Sequence, residues 1–147
     1  MRHIWSIICS QAIRSAETNN FSLIEVLEQI TVQVPPADDD TLFGIGVRIF
    51  IVSSWWRTEI EQPEQSDARL VVKSPDNEEL AKIEYQIDLM KAGRFRSVGR
   101  IDVMPYRTNG IYKFVVETYD DVRKQWDTQA IVPLEIIREF HLEEMTE

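Results

Sequence analysis

Apolar and polar residues alternate one by one along several segments of this chain. In the segment 43–51 every second residue is apolar, and similar alternation recurs in 83–89, 112–116 and 126–132. A period of two places alternate side chains of an extended strand on the same face. Each segment is therefore predicted to be a β-strand with one face in a core and the other in water.

Turn-forming residues separate these segments at short intervals. Asn109-Gly110 is the pair favoured in two-residue hairpins, where both central positions need positive φ. We therefore expect 101–106 and 111–117 to pair as antiparallel neighbours. About seven or eight strands at this spacing are typical of a sandwich. The predicted fold is an all-β, antiparallel β-sandwich, immunoglobulin-like in broad architecture, with residues 1–147 in one domain.

Two segments leave their secondary structure open. In the segment 21–30, Leu23, Leu27 and Ile30 lie near helical spacing, but a strand over 23–34 with a bulge at Glu28 fits the pattern better. The tail from Pro133 allows either a last strand or one helical turn.

Charge and cysteine content restrict the classes of partner and the compartment. With 16 basic and 25 acidic residues the formal charge is −9, which disfavours binding to nucleic acid and to anionic membranes. The apolar run within residues 4–9 is too short for a signal peptide or a membrane span. Because Cys9 is the single cysteine, an internal disulfide is excluded, which favours the reducing cytoplasm.

Catalytic and metal-binding motifs are missing from the sequence. It contains no Cys-x-x-Cys, His-Glu-x-x-His or Gly-x-Ser-x-Gly pattern and no glycine-rich phosphate loop, so we predict no cofactor and no catalytic set. Loop aspartates would suit Ca²⁺ if two acidic runs, Asp38–Asp40 and Asp120-Asp121, converged.

Arginines and tryptophans supply the candidate binding residues. Arg94, Arg96 and Arg100 share one face of a predicted strand, where they would receive an acidic segment or a phosphate; otherwise they are a solvated face paired with neighbouring carboxylates. Adjacent Trp55 and Trp56 point to opposite faces, so one would be in the core and one at the surface. We predict these five residues to be the partner-binding residues.

Two regions resemble an uncharacterised family of small bacterial β-sandwich proteins. The first runs from Ile7 to Val26, and the second runs from Gly110 to Val116 and continues to Pro133-Leu134. The resemblance implies a sandwich fold and supplies no catalytic residue or ligand.

Three functional hypotheses follow from these features. The first is a non-enzymatic module for protein interaction or self-assembly, because the sequence shows no catalytic set and because exposed aromatic residues and sheet edges invite pairing. The alternative is a ligand-binding module for carbohydrate or Ca²⁺, with an exposed tryptophan platform or converging aspartates. The third is an enzyme that uses carboxylates such as Glu59, Glu61 or Asp102 in one pocket.

Overall fold

The chain is a β-sandwich in a computed structural model that describes residues 1–35 and 41–139. The described residues form nine strands, slightly more than predicted, and contain no helix. The strands are Arg2–Arg14 (β1), Phe21–Val26 (β2), Gln29–Gln33 (β3), Phe43–Trp56 (β4), Glu64–Lys73 (β5), Glu79–Leu89 (β6), Arg94–Tyr106 (β7), Gly110–Asp120 (β8) and Gln125–Glu139 (β9).

Two sheets make up the sandwich. One has the strand order β2-β1-β4-β7 and the other β3-β9-β8-β5-β6. Pairing is antiparallel except between β3 and β9, which run parallel. The predicted antiparallel arrangement therefore holds for every pair but that one.

The inner faces of the sheets form one hydrophobic core. Alternate residues of β4 point into it, and Ile49 and Ile51 are nearly fully buried, as the alternation predicts. Tyr112, Phe114 and Val116 face them from β8.

The segment 21–33 is extended, but the predicted single strand over 23–34 is wrong. The chain leaves the first sheet after Val26 and enters the second at Gln29, so Glu28 lies at a change of sheet and not at a bulge. Glu25 has a positive φ of 54° at this bend. The last strand extends through Ile136 to Glu139, as one of the two alternatives predicted.

The expected hairpin at Asn109-Gly110 is also wrong. Strand β7 pairs with β4, whereas β8 pairs with β5 and β9, so the chain changes sheets here. Asn109 Oδ1 accepts hydrogen bonds from the Tyr106 hydroxyl at 2.8 Å and from the Arg138 backbone at 2.7 Å. Gly110 has φ 144°, and a Cβ there would lie 2.8 Å from the Pro75 ring. The pair therefore serves a crossover between the sheets.

A bulge reverses the face of β9. Val116 lies opposite Ala130, but Glu117 lies opposite Thr128, which leaves one extra residue in β9. Trp126 consequently points outward, although alternation predicted it on the same face as Ala130.

Candidate functional site

Strand β1 divides its pairing between two neighbours. It pairs with β4 from Arg2 to Cys9 and with β2 from Cys9 to Arg14. Cys9 and Val52, which lie on the face of this sheet away from the core, are nevertheless fully buried. Something therefore covers this outer face around Cys9.

The tip of the β1–β2 hairpin lies over part of this outer face. Arg96 on β7 pairs with Ser54 on β4, and Ser54 pairs with Trp5 near the start of β1. Phe21 on β2 pairs with Arg14, at the far end of β1. Positions 5 and 14 would be about 30 Å apart on a straight strand. Yet the guanidinium carbon of Arg96 lies 4.5 Å from the centre of the Phe21 ring. The hairpin must therefore fold back over the outer face of its own sheet.

This folding creates two adjoining depressions. One has a volume of ≈ 460 Å³ and the other of ≈ 350 Å³, and both are lined by Phe21, Arg94 and Arg96. Arg14 extends the first depression, and Trp5 and Trp56 extend the second. We call these six residues the arginine surface: Trp5, Arg14, Phe21, Trp56, Arg94 and Arg96.

Within the described part of the chain, the arginines of the arginine surface have no carboxylate ion-pair partners. No carboxylate of residues 1–35 and 41–139 forms an ion pair with Arg14, Arg94 or Arg96. Partial burial lowers the pKa of Arg96, and the charges of Arg94 and Arg14 lower it further. The guanidinium nevertheless stays charged at neutral pH. Three cations thus repel one another on a protein whose formal charge is −9.

The five predicted partner-binding residues do not lie in one place. Trp55 is 1% exposed and Trp56 is 46% exposed, which confirms that the two rings point to opposite faces. Trp55 is therefore a core residue with no surface to offer a partner. Arg100 donates to Asp102 at 2.7 Å and lies about 14 Å along β7 from Arg96, so it is outside the arginine surface.

Sequence patterns missed half of the arginine surface. Arg14, Phe21 and Trp5 come from β1 and β2, far in sequence from Arg94. Their approach depends on the backward fold of the hairpin, and no local pattern encodes that fold.

Trp126, Tyr119 and Tyr106, which also belong to aromatic-rich strands, are largely covered by their neighbours. The Arg69 guanidinium lies 4.2 Å from the centre of the Trp126 ring, and Tyr119 packs at 5.2 Å from that ring. Arg69 is held there by Glu117 at 2.8 Å. Tyr106 is buried.

The predicted calcium loops receive no support from the described residues. Asp120 accepts hydrogen bonds from the Arg123 side chain at 2.7 Å and from the Val122 and Arg123 backbones. The hydrogen bonds from Arg123 lower the pKa of the Asp120 carboxyl. Residues 38–40 lie outside the described parts, and within those parts no three His, Cys, Asp or Glu residues gather as metal ligands.

A histidine and two serines form a chain of polar contacts between β1 and β4. His3 Nε2 lies 2.7 Å from Ser6 Oγ, which lies 2.7 Å from Ser53 Oγ. Burial lowers the pKa of His3, and a backbone hydrogen bond with Trp5 offsets part of that shift. Neither His3 nor Ser6 lines either depression of the arginine surface, so these contacts join two strands and take no part in that surface.

The carboxylates suggested for catalysis are dispersed. Glu59 and Glu61 are exposed in the turn after β4, and Asp102 pairs with Arg100 on β7. None of the three lines either depression of the arginine surface.

Burial disfavours the thiolate form of Cys9. It is fully buried, and this desolvation raises the pKa of its thiol, while a backbone hydrogen bond with Gln11 acts in the opposite direction. A raised pKa lowers the thiolate fraction at neutral pH.

No helix in the described parts of the chain is long and apolar enough to cross a membrane. Comparison of the sequence with protein-family models and with curated proteins finds no match to either.

Proposed function

We propose that this chain is a non-enzymatic interaction module of the cytoplasm whose arginine surface captures an acidic segment of a partner protein. The observation that carries the proposal is the group of three arginines without carboxylate partners among the described residues, set beside aromatic rings in an acidic protein. Holding like charges together opposes folding unless an anion binds. A ligand's carboxylates would supply the missing counter-charges.

The chemical groups of the arginine surface restrict the class of ligand further. Guanidinium groups bind carboxylates through paired, charge-assisted hydrogen bonds. Trp5, Trp56 and Phe21 provide apolar walls beside these donors. Tryptophan and arginine are the residue types that most often dominate binding energy at interfaces. An extended segment with several carboxylates and one aromatic or aliphatic anchor would satisfy both parts of the surface.

A second copy of this chain would also carry suitable segments. The sequence contains Asp38–Asp40 and Glu143-Glu144, each a short acidic run. Self-assembly would then use the same arginines. Light scattering over a range of protein concentrations separates the two cases, because self-association makes the mass rise with concentration.

Charge reversal tests the proposal. We would measure polarisation of a fluorescent peptide with five carboxylates and one central phenylalanine, against the unmodified chain and the double variant Arg94→Glu/Arg96→Glu. We expect the double variant to lose binding by at least about tenfold, and binding to the unmodified chain to weaken as salt rises.

The matched control is Arg100→Glu, which reverses a charge on the same strand outside the arginine surface. It should leave the affinity within about a factor of two, apart from the long-range effect of net charge. Equal binding by all three proteins, or equal loss in both variants, would overturn the assignment of the site.

Carbohydrate binding is a second candidate, favoured by one observation. Trp56 is the exposed member of its pair and shares the ≈ 350 Å³ depression with Trp5. A sugar would stack on these rings without needing the arginines. Sugar binding that survives the Arg94→Glu/Arg96→Glu variant and is lost in Trp56→Ala would favour this candidate.

A further inference from the structure

A separate pocket opens between the two sheets, on the side where β6 and β7 are the outer strands. Its volume is ≈ 240 Å³. Apolar side chains from both sheets form its walls: Ile51, Leu70, Ile83, Phe95 and Val116. It therefore reaches the hydrophobic core, whereas the arginine surface lies on the outer face; Arg96 contributes to the lining of both.

Small residues on the inner face of the first sheet leave this space empty. Ser53, Ser97 and Gly99 stand where larger side chains would fill the core. A Cβ built on Gly99 would lie 3.9 Å from Leu70 Cδ2, at ordinary contact distance. Nothing in the packing requires a glycine here, and an unfilled apolar space opposes stability.

The pocket has one polar end. Tyr85 and Ser97 both line the pocket, and the Trp55 indole donates to Ser97 Oγ at 3.3 Å. Burial raises the pKa of Tyr85, with the Ser97 hydrogen bond acting in the opposite direction, so the phenol is neutral at physiological pH. It remains able to donate or accept one hydrogen bond.

The lining of this pocket carries little charge. Among the described residues, Arg96 is its one charged contributor, and the Arg96 guanidinium lies against the Phe21 ring. Water is poorly held where polar partners are few. A cavity of about 150 Å³ already accommodates benzene, so this one has room for a larger apolar body.

We propose that this pocket is a binding site for a small uncharged molecule with an apolar body and one hydroxyl or carbonyl group, which hydrogen-bonds to Tyr85 and Ser97. The body would occupy the space that Gly99 leaves, and the entrance would be the gap between β6 and β7. This proposal is independent of the acidic partner proposed above.

The test uses 1-octanol as the probe and octanoate as its charged analogue. Binding would be followed by thermal shift and by ¹H–¹⁵N NMR of the Trp55 indole and the Gly99 amide. Octanol should raise the melting temperature and move both resonances, with octanoate at least about tenfold weaker. Octanoate binding as tightly as octanol would overturn the ligand class.

Two variants locate the site. Gly99→Leu should fill the pocket and weaken octanol binding by at least about tenfold, whereas Gly46→Leu, at an exposed glycine with no atom within 4 Å of a built Cβ, should not. Tyr85→Phe should weaken octanol binding by up to about tenfold. No octanol effect on the parent protein, or unchanged binding in a folded Gly99→Leu variant, would refute the proposal.

Discussion

Arg96 lies with its guanidinium carbon 4.5 Å from the centre of the Phe21 ring, although their strands are at opposite edges of one four-stranded sheet. This contact fixes the hairpin of β1 and β2 against the outer face. It also brings Arg14 towards Arg94 and Arg96. The same contact thus packs the hairpin against the sheet and brings the residues of the arginine surface together.

Removal of the Phe21 ring should loosen the hairpin. Phe21→Ala loses a cation–π contact and partly buried apolar area, and we expect it to lower the free energy of unfolding by about 1–3 kcal/mol. Urea denaturation measures this, with exposed Ser22→Ala as the control. A loss no larger than that of the control would show that the contact does not hold the hairpin.

Neutralising one arginine of the surface should stabilise the free protein. Arg94→Gln removes a charge that repels Arg96, with an expected gain of about 0.2–0.5 kcal/mol at low salt that fades as salt rises. Arg100→Gln loses the contact with Asp102 and should give no such gain. If Arg94→Gln destabilises the protein at low salt, the repulsion among the arginines is already compensated by other groups of the protein.

Filling the inner pocket with a methyl group should raise stability. Gly99→Ala adds an apolar group at contact distance from Leu70 and restricts the unfolded chain, so we expect a gain of about 0.5–1.5 kcal/mol. Gly46→Ala restricts the unfolded chain in the same way but does not bury the added methyl group. Thermal unfolding of both variants separates the two contributions, and equal effects would argue against an open space at Gly99.

The half-buried His3 should make stability depend on pH. Because its folded pKa is lowered, the unfolded chain binds the proton more readily, and this stability is lost as the pH falls below 6.5 towards the folded pKa. The loss is at most about 1.4 kcal/mol per pH unit. His3→Gln should flatten the dependence between pH 7 and about 5.5, above the usual range of carboxylates. An identical pH profile in the variant would contradict the burial of the ring.

Sequence patterns predicted the faces of most strands but not their sheets. Alternation correctly placed Ile49, Ile51 and Phe114 in the core, because burial on one face is a local property of a strand. Asn109-Gly110 misled because a turn motif does not specify which strands pair. Trp126 was placed on the wrong face because a bulge opposite Val116 leaves no mark in the hydrophobic pattern.

The candidate site could be predicted only in part, because alternation reports the face of a residue within its own strand and not which strands come together. Arg94, Arg96 and Trp56 were identified from charge and from alternation along their own strands. Arg14 and Phe21 join them because the β1–β2 hairpin returns towards β7, a long-range arrangement that alternation along one strand does not encode. Arg100 pairs with Asp102, two residues away on the same strand, which is the alternative that the sequence left open for the three arginines.

The proposed binding site is tested most directly by a ¹H–¹⁵N NMR titration of the intact chain with the acidic phenylalanine-containing peptide. We predict that the Trp56 indole and the Arg94 and Arg96 resonances shift together and saturate, while those of Arg100 and Trp126 stay in place. Shifts confined to Arg100, Trp126 or the edge strands, or no saturable shift at low salt, would show that the arginine surface does not bind acidic segments.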